Sequence, residues 1–197
     1  MNDRAPPQPI TTRERETEDL MARGATDVAR WAAPAILARQ WDARAAMAAE
    51  WIQHGSRVLD VGCGAMVLGA LLKSGCSYFP ADVVERRPSA FVVDLNRQEF
   101  PSGDYDWVTF LGVLEYVHDL AWPLARAREA APNLVVTYCT HLGGDIAVRR
   151  GMGWVNDLTL RQFEAALSKA CWRIARTGVV KRGPTNIQLM YACRRSE

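Results

Sequence analysis

Short apolar, β-favouring runs alternate with helical segments through most of the chain. Residues 58–61, 77–81 and 90–93 predict the first three strands, and residues 105–111 and 134–138 predict two more. Such alternation is typical of parallel strands that are joined by crossover connections. The pattern therefore predicts an α/β fold built on a doubly wound, mostly parallel sheet.

The connections between the predicted strands differ in length. Residues 65–74 and 120–130 are long enough to form crossover helices. Only eleven residues separate Asp82 from Asp94, and Pro88 is among them. Because this stretch has no room for a full helix, the sequence predicts an abbreviated link between the second and third strands.

The pattern changes in the last third of the chain. Residues 139–156 carry four glycines and predict an irregular loop. Thr159 then opens a helix with Gln162 three residues later, which is the spacing of a capping box. Residues 172–180 and 185–193 predict a pair of antiparallel strands, so we expect the sheet to end in a C-terminal hairpin.

The N-terminal region has a composition of its own. Residues 1–12 hold three prolines and few large apolar side chains, which predicts a flexible tail. Residues 13–54 predict a helical cap of two helices that meet near Pro34. Its tryptophans, Trp31, Trp41 and Trp51, either line a lid over a substrate or anchor the cap to the core.

Composition excludes several classes of partner. The 24 basic and 22 acidic residues are scattered and give a formal charge of +2, so nothing favours nucleic acid. The five cysteines form no CxxC pair, which is typical of reduced thiols in a cytoplasmic protein and of neither disulfides nor a metal site. No apolar run approaches the ~20 residues of a membrane span, and residues 1–10 are polar and proline-rich, so we expect a soluble protein that is not exported.

An Asp60-x-Gly62-x-Gly64 motif follows the first predicted strand. A dinucleotide-binding loop would need a third glycine where this chain has Val67, and a G-K-[ST] phosphate loop is absent. Asp82 ends the second strand, where it could chelate two ribose hydroxyls, while Asp60 could hold a cationic amine. Both acids lie at the edge of the sheet where such folds bind ligands. The motif favours a cationic nucleoside over a dinucleotide.

From residue 57 to residue 193 the chain resembles the class I S-adenosylmethionine-dependent methyltransferases. The segments that carry the resemblance are VLDVGCG, YFPADVVER, FVVDLN, DYDWVTFLGVLEYVHD, LVVTY and WVNDLTLRQFEAALSKACWRI. They follow the order of that family, including the terminal hairpin that separates it from dehydrogenases. The resemblance implies a Rossmann-like methyltransferase domain over residues 55–197 and S-adenosyl-L-methionine as cofactor.

The resemblance also implies a cofactor site by position. Its residues are Asp60, Gly62, Cys63, Gly64, Asp82, Val83, Asp94, Leu95, Leu111 and Gly112. The glycine loop would face the methionine moiety, and the last two residues would lie near the sulfonium. Asp82 would bind the ribose hydroxyls with Val83 against the adenine, whose edge Asp94 and the Leu95 amide would recognise. Met66 departs from the family, since many members have a third glycine there.

Candidate catalytic residues follow the fourth strand. Methyl transfer from a sulfonium mainly requires positioning of the acceptor and, for a hydroxyl, removal of its proton. His118 is the candidate general base, and Glu115 and Tyr116 are candidate positioning groups. The alternative interpretation is that this segment only starts a helix.

Candidate acceptor-binding residues follow the fifth strand. Tyr138 and His141 lie at the ligand edge, beside the glycine-rich loop that we expect to form the acceptor wall. Asn156 either contacts the acceptor or shapes the turn before the next helix.

Two functions remain open at this point. The first is methyl transfer to a small-molecule or glycan-type acceptor, with oxygen as the receiving atom. The second is a noncatalytic binding module of the same fold within a biosynthetic complex. A nicotinamide-dependent oxidoreductase is disfavoured by Val67 and by the terminal hairpin.

Overall fold

Seven strands form one sheet in the computed structural model, which describes residues 11–37, 42–144, 146–183 and 186–196. The strands are β1 (Arg57–Val61), β2 (Ser77–Asp82), β3 (Phe91–Val92), β4 (Trp107–Leu111), β5 (Asn133–His141), β6 (Trp172–Arg182) and β7 (Asn186–Arg195). Their order across the sheet is β3-β2-β1-β4-β5-β7-β6. The first five strands pair in parallel, and β7 pairs antiparallel with both β5 and β6. The predicted doubly wound sheet with a C-terminal hairpin is confirmed.

The helices of the described residues lie on both faces of this sheet. They are α1 (Thr12–Arg23), α2 (Val28–Ala32), α3 (Asp42–Trp51), α4 (Val67–Leu71), α5 (Ala121–Ala130), α6 (Ile146–Gly151) and α7 (Leu160–Lys169). The capping box of α7 is present, since the Thr159 hydroxyl accepts from the Gln162 amide and the Gln162 side chain accepts from the Thr159 amide. None of these helices is both long and apolar enough to cross a membrane.

The described residues of the N-terminal region form three α-helices where the sequence predicted two. Gly24 ends α1 because it adopts a left-handed conformation, with φ of 60°, and its amide donates to the carbonyls of the last turn. Pro34 opens a short 3₁₀ turn rather than joining two long helices. The predicted tail, apart from Thr11 and Thr12, and Trp41 lie outside the described residues.

Two connections test the loop predictions. No helix forms in residues 83–90, all of which are described, so the abbreviated link between β2 and β3 is confirmed. The prediction of an irregular loop over 139–156 is wrong in part. There β5 continues to His141, and α6 forms because two of its arginines, Arg149 and Arg150, are buried against Asp157.

The core has one layer on each face of the sheet. Leu124 of α5 and Phe163 of α7 are fully buried against β4 and β5 on one face. On the other face α3 buries Ala48 and Ile52 against β1 and β7. Trp51 belongs to this second cluster and is 8% exposed, so it is an anchor rather than part of a lid.

Candidate cofactor and acceptor site

A cavity of about 200 Å³ lies at the carboxyl ends of β1, β2 and β4. All ten residues that the sequence assigns to a cofactor site line it: Asp60, Gly62, Cys63, Gly64, Asp82, Val83, Asp94, Leu95, Leu111 and Gly112. Parallel strands bring these positions together because their carboxyl ends meet at one edge of the sheet. The lining also includes residues from the N-terminal helices, namely Thr26, Trp31, Leu37, Arg44 and Ala45.

The glycine loop after β1 has little room for side chains. Gly62 has φ of 76°, and the Val113 side chain occupies the space that a β-carbon on residue 62 would need. The amide of Gly62 donates to the carbonyl of Ala81 at 2.8 Å, and this hydrogen bond holds the loop against the end of β2. Met66, at the start of α4, also adopts a left-handed conformation, with φ of 57°. This strain explains why glycine suits that position.

Asp60 lies at the end of β1 with only 3% of its surface exposed. Its two carboxylate oxygens accept hydrogen bonds from the Thr109 hydroxyl at 2.6 Å and from the Tyr78 hydroxyl at 2.7 Å. Burial raises the pKa of Asp60 to about 6, although these two hydrogen bonds oppose the shift. Asp60 therefore changes its charge close to neutral pH.

Asp82 already holds parts of the protein. One carboxylate oxygen accepts from the Gly64 amide at 2.8 Å, and the other forms an ion pair with Arg86 at 3.2 Å. Arg86 also donates to the carbonyl of Trp31 at 3.0 Å, while its Nε has no hydrogen-bond partner among the described residues. The carboxylate assigned to the ribose is thus tied to the N-terminal helices through Arg86, which the sequence analysis did not single out.

Asp94 is linked to the N-terminal region in a similar way. Its Oδ1 accepts from the Thr26 hydroxyl at 2.6 Å and from the Asn96 amide at 3.0 Å. The Asn96 side chain donates in turn to Thr26 at 2.8 Å. The loop between α1 and α2 therefore closes the cavity on the side of Asp94.

A family model described as a methyltransferase domain matches residues 33–173, most of the chain and all of the cavity except Thr26 and Trp31. The chain belongs to this methyltransferase family. Its sheet order and terminal hairpin are those of the class I S-adenosylmethionine-dependent enzymes, and S-adenosylmethionine is the cofactor. A search of curated protein sequences finds no significant match to it.

Solved structures with the same fold include several methyltransferases. The Burkholderia thailandensis 1,6-didemethyltoxoflavin-N1-methyltransferase, with bound 1,6-didemethyltoxoflavin and S-adenosylhomocysteine, is 16% identical with a TM-score of 0.64; the match covers 98% of this chain and 94% of that one. The mitomycin 7-O-methyltransferase MmcR is 17% identical with a TM-score of 0.64, over 95% and 69% of the two chains. The [4+2]-cyclase SpnF is 16% identical with a TM-score of 0.65, over 79% and 80%. At these identities the likeness shows the shared fold.

The candidate catalytic residues of the methyltransferase are divided by the cavity wall. Tyr116 lines the cavity, and burial raises the pKa of its hydroxyl to about 12. Glu115 does not belong to the described lining, and only 1% of its surface is exposed. Its Oε1 accepts a hydrogen bond from the Cys139 amide at 2.8 Å. His118 also lies outside the lining, with its Nε2 at 3.2 Å from the carbonyl of Ala25. The structure therefore brings only Tyr116 of these three to the cavity.

The candidate acceptor residues of the methyltransferase lie behind the cavity wall. Tyr138 is fully buried and donates from its hydroxyl to the side-chain oxygen of Asn156. The Asn156 amide group donates to the carbonyls of Leu114 at 2.7 Å and Val117 at 2.9 Å, so it shapes the wall from outside. His141 lies at the end of β5 and is absent from the described lining.

An aromatic corner forms part of the lining instead. Trp31 of α2 and Tyr116 meet edge to face, with ring centroids 4.7 Å apart and an interplanar angle of 88°. Neither tryptophan spacing nor strand order predicted this pair, because the contact depends on how α2 packs over the segment after β4. Cys63 also lines the cavity, and burial raises the pKa of its thiol far above neutrality, which disfavours the reactive thiolate form.

Proposed function

We propose that the protein transfers a methyl group from S-adenosylmethionine to a small-molecule or glycan-type acceptor, with oxygen as the receiving atom. The observation that carries the proposal is one cavity. Its lining includes Asp60, Asp82 and Asp94 and extends to Gly112, which follows the end of β4. Its acidic half suits a cationic nucleoside, and its other half is apolar and aromatic apart from Arg44. The two halves thus offer places for a donor and an acceptor side by side.

The residues present fit S-adenosylmethionine. Gly62 and Gly64 line the cavity without side chains, which gives the methionine moiety access to the backbone, with Asp60 beside it. Asp82 and Asp94 would hold the ribose hydroxyls and the adenine edge. When bound, the cofactor supplies a methyl group on an activated sulfonium leaving group. The protein then has only to orient the acceptor and exclude water.

The lining supports a small acceptor. The apolar part of the lining consists of the Trp31–Tyr116 corner and the side chains of Leu37, Val113 and Val117. Two structural neighbours are named for methylation of small molecules, one at nitrogen and one at oxygen. We favour oxygen because an ionised oxygen acceptor can take the methyl group without a base, and Glu115, the acid next to Tyr116 in the sequence, is buried behind the wall.

The proposal predicts binding of S-adenosylhomocysteine with micromolar affinity, which corresponds to about −8 kcal/mol. Calorimetric titration of the purified protein measures it. Replacing Asp82 by alanine is expected to weaken binding about 30-fold, because the ribose loses a charged acceptor and Gly64 loses its anchor. Glu85→Ala, an exposed acid three residues away, is the control and should leave the affinity unchanged. Absence of binding, or displacement by NAD, would exclude the proposed function.

A noncatalytic module is the second candidate, and one observation favours it. Arg86 forms an ion pair with the Asp82 carboxylate, which the ribose hydroxyls would need as an acceptor. Cofactor binding therefore has to displace this ion pair. Incubation with S-adenosylmethionine and a panel of hydroxyl and carboxyl acceptors separates the candidates. A module would bind the cofactor and release no S-adenosylhomocysteine with any of them.

The charge of Asp60 predicts a pH dependence of cofactor binding. With its pKa raised to about 6, Asp60 is mostly protonated at pH 5 and mostly ionised at pH 7. Since the ionised form attracts the cationic amine, S-adenosylhomocysteine should bind about tenfold more tightly at pH 7 than at pH 5. Titrations at both pH values measure this. Asp60→Asn should show weak binding at both, and an unchanged pH dependence in that variant would assign the effect to another group.

A further inference from the structure

Arg44 brings a positive charge to the end of the cavity where β4 stops. Its guanidinium occupies the space that a β-carbon on Gly112 would need, and Arg44 lines the cavity. The helix that carries it is held on the sheet by Ala48 and Ile52, both fully buried. Arg44 is therefore held by a helix beside Gly112, the end of the cavity near which the proposed function places the sulfonium.

The other charged groups of the described lining lie elsewhere in the cavity. They are Asp60 at the end of β1, Asp82 with its partner Arg86, and Asp94, which accepts from Thr26. The described lining residues at the β4 end other than Arg44 are uncharged, namely Leu111, Gly112, Val113, Tyr116 and Val117.

Glu115 is the acidic group that faces Arg44 from behind the wall. The positive charge of Arg44 lowers the pKa of Glu115, but burial outweighs this and raises that pKa overall. Glu115 is 1% exposed and absent from the described lining, so it cannot take the place of a ligand inside the cavity. The Glu115 carboxylate therefore weakens the positive electrostatic potential of Arg44 inside the cavity, but it does not occupy the acceptor position.

We propose that Arg44 binds a carboxylate of the acceptor and presents one of its oxygens to the methyl group. The proposal rests on the proposed function and specifies its substrate class. A guanidinium and a sulfonium at one end of a cavity repel each other, and an anion between them is attracted by both. The fork of a single guanidinium matches a carboxylate, whereas a doubly charged phosphate calls for more donors than this end of the cavity offers. The Trp31–Tyr116 corner suits a planar group attached to that carboxylate.

This assignment removes the need for a general base. The carboxylate oxygen forms a bond to the methyl carbon while the carbon–sulfur bond breaks and its electron pair stays on sulfur. One negative and one positive charge are cancelled, and the products are a neutral methyl ester and a thioether. No proton moves, which agrees with a lining in which Tyr116 keeps its proton and His118 is absent.

A nuclear magnetic resonance titration of the full chain saturated with S-adenosylhomocysteine tests the proposal. The probes are benzoate and benzamide, which share size and ring and differ in charge. Benzoate is expected to bind at least about tenfold more tightly than benzamide. Arg44→Gln should lose this preference, and Arg44→Lys should keep part of it. Arg30→Gln removes a neighbouring cation outside the described lining and should retain the full preference.

The affinity for S-adenosylhomocysteine is measured first on every variant and separates the outcomes. If the wild-type protein does not bind it, the proposed function fails and the carboxylate proposal falls with it. If it binds but benzoate and benzamide behave alike, or Arg44→Gln keeps the preference, only the carboxylate proposal is overturned. With S-adenosylmethionine and benzoate, methyl benzoate is the expected product by gas chromatography. Benzoate binding without this ester would overturn the carboxylate oxygen as the methylated atom.

Discussion

Gly62→Ala is expected to abolish measurable binding of S-adenosylhomocysteine and to lower the free energy of unfolding by about 3 kcal/mol. Two costs add at this position. The left-handed backbone, with φ of 76°, disfavours any β-carbon, and that carbon would also overlap Val113. Because Val113 begins the segment that follows β4, the overlap pushes apart the two walls between which the cofactor would lie. Calorimetric titration and urea denaturation measure the two effects.

Gly55→Ala is the matched control for this prediction. Gly55 has nearly the same backbone angle, with φ of 72°, but nothing lies within 4 Å of an added β-carbon. Its cost should therefore be the backbone strain alone, about 1 kcal/mol. Combining Gly62→Ala with Val113→Ala should restore part of the stability and of the binding, since it removes the overlapping atoms. Equal losses for Gly62→Ala and Gly55→Ala would show that the contact with Val113 is unimportant.

Asp157→Ala is expected to destabilise the protein by about 3 kcal/mol at pH 7. Asp157 forms ion pairs with both Arg149, at 2.7 Å, and Arg150. These two arginines are only 3% and 8% exposed, so the substitution leaves two buried cations without their carboxylate. The same segment carries Trp154, which lies close enough to Tyr116 in the cavity lining to lower the pKa of its hydroxyl, although burial raises that pKa overall. Loss of Asp157 should therefore also loosen the aromatic corner.

The pH dependence of this loss has a definite sign. Hydrogen bonds and ion pairs with Arg150 and Arg149 lower the pKa of Asp157, although burial opposes them. A carboxyl group with a lowered folded-state pKa stabilises the fold above its unfolded pKa, near 4, and loses that contribution as the pH falls through the folded value. Urea denaturation should thus show a smaller difference between wild type and Asp157→Ala at pH 3 than at pH 7. Asp104→Ala, an exposed acid, is the control, and a matching effect there would refute the assignment.

The cofactor half of the cavity was predictable because its residues occupy the ends of strands. Periodicity locates a strand within a few residues, and the parallel topology then brings every carboxyl end to one edge. For this reason Asp60 and Asp82 could be grouped from the sequence, the resemblance to the methyltransferases added Asp94, and all three line one cavity. The abbreviated link after Asp82 followed from the eleven residues available and from Pro88 among them.

The acceptor half was not predictable in the same way. Tyr138 and Asn156 follow the correct strand edge, yet they bond to each other behind the wall, because the segment after β4 packs between them and the cavity. Conversely, Thr26 and Arg44 carried no motif that marked them. Both reach the site only because the N-terminal region folds across the carboxyl edge of the sheet.

The sequence by itself determined the α/β class, the strand order that ends in a hairpin, and the strand-end residues of the cofactor site. These features depend on local periodicity, on turn chemistry and on connection lengths, all of which are written along the chain. Only the tertiary structure decided which side chains face the acceptor, how Asp82 is paired, and where Arg44 lies. Those features depend on contacts between distant segments, such as the pairing of α2 with residues after β4, and no local pattern encodes a contact of that kind.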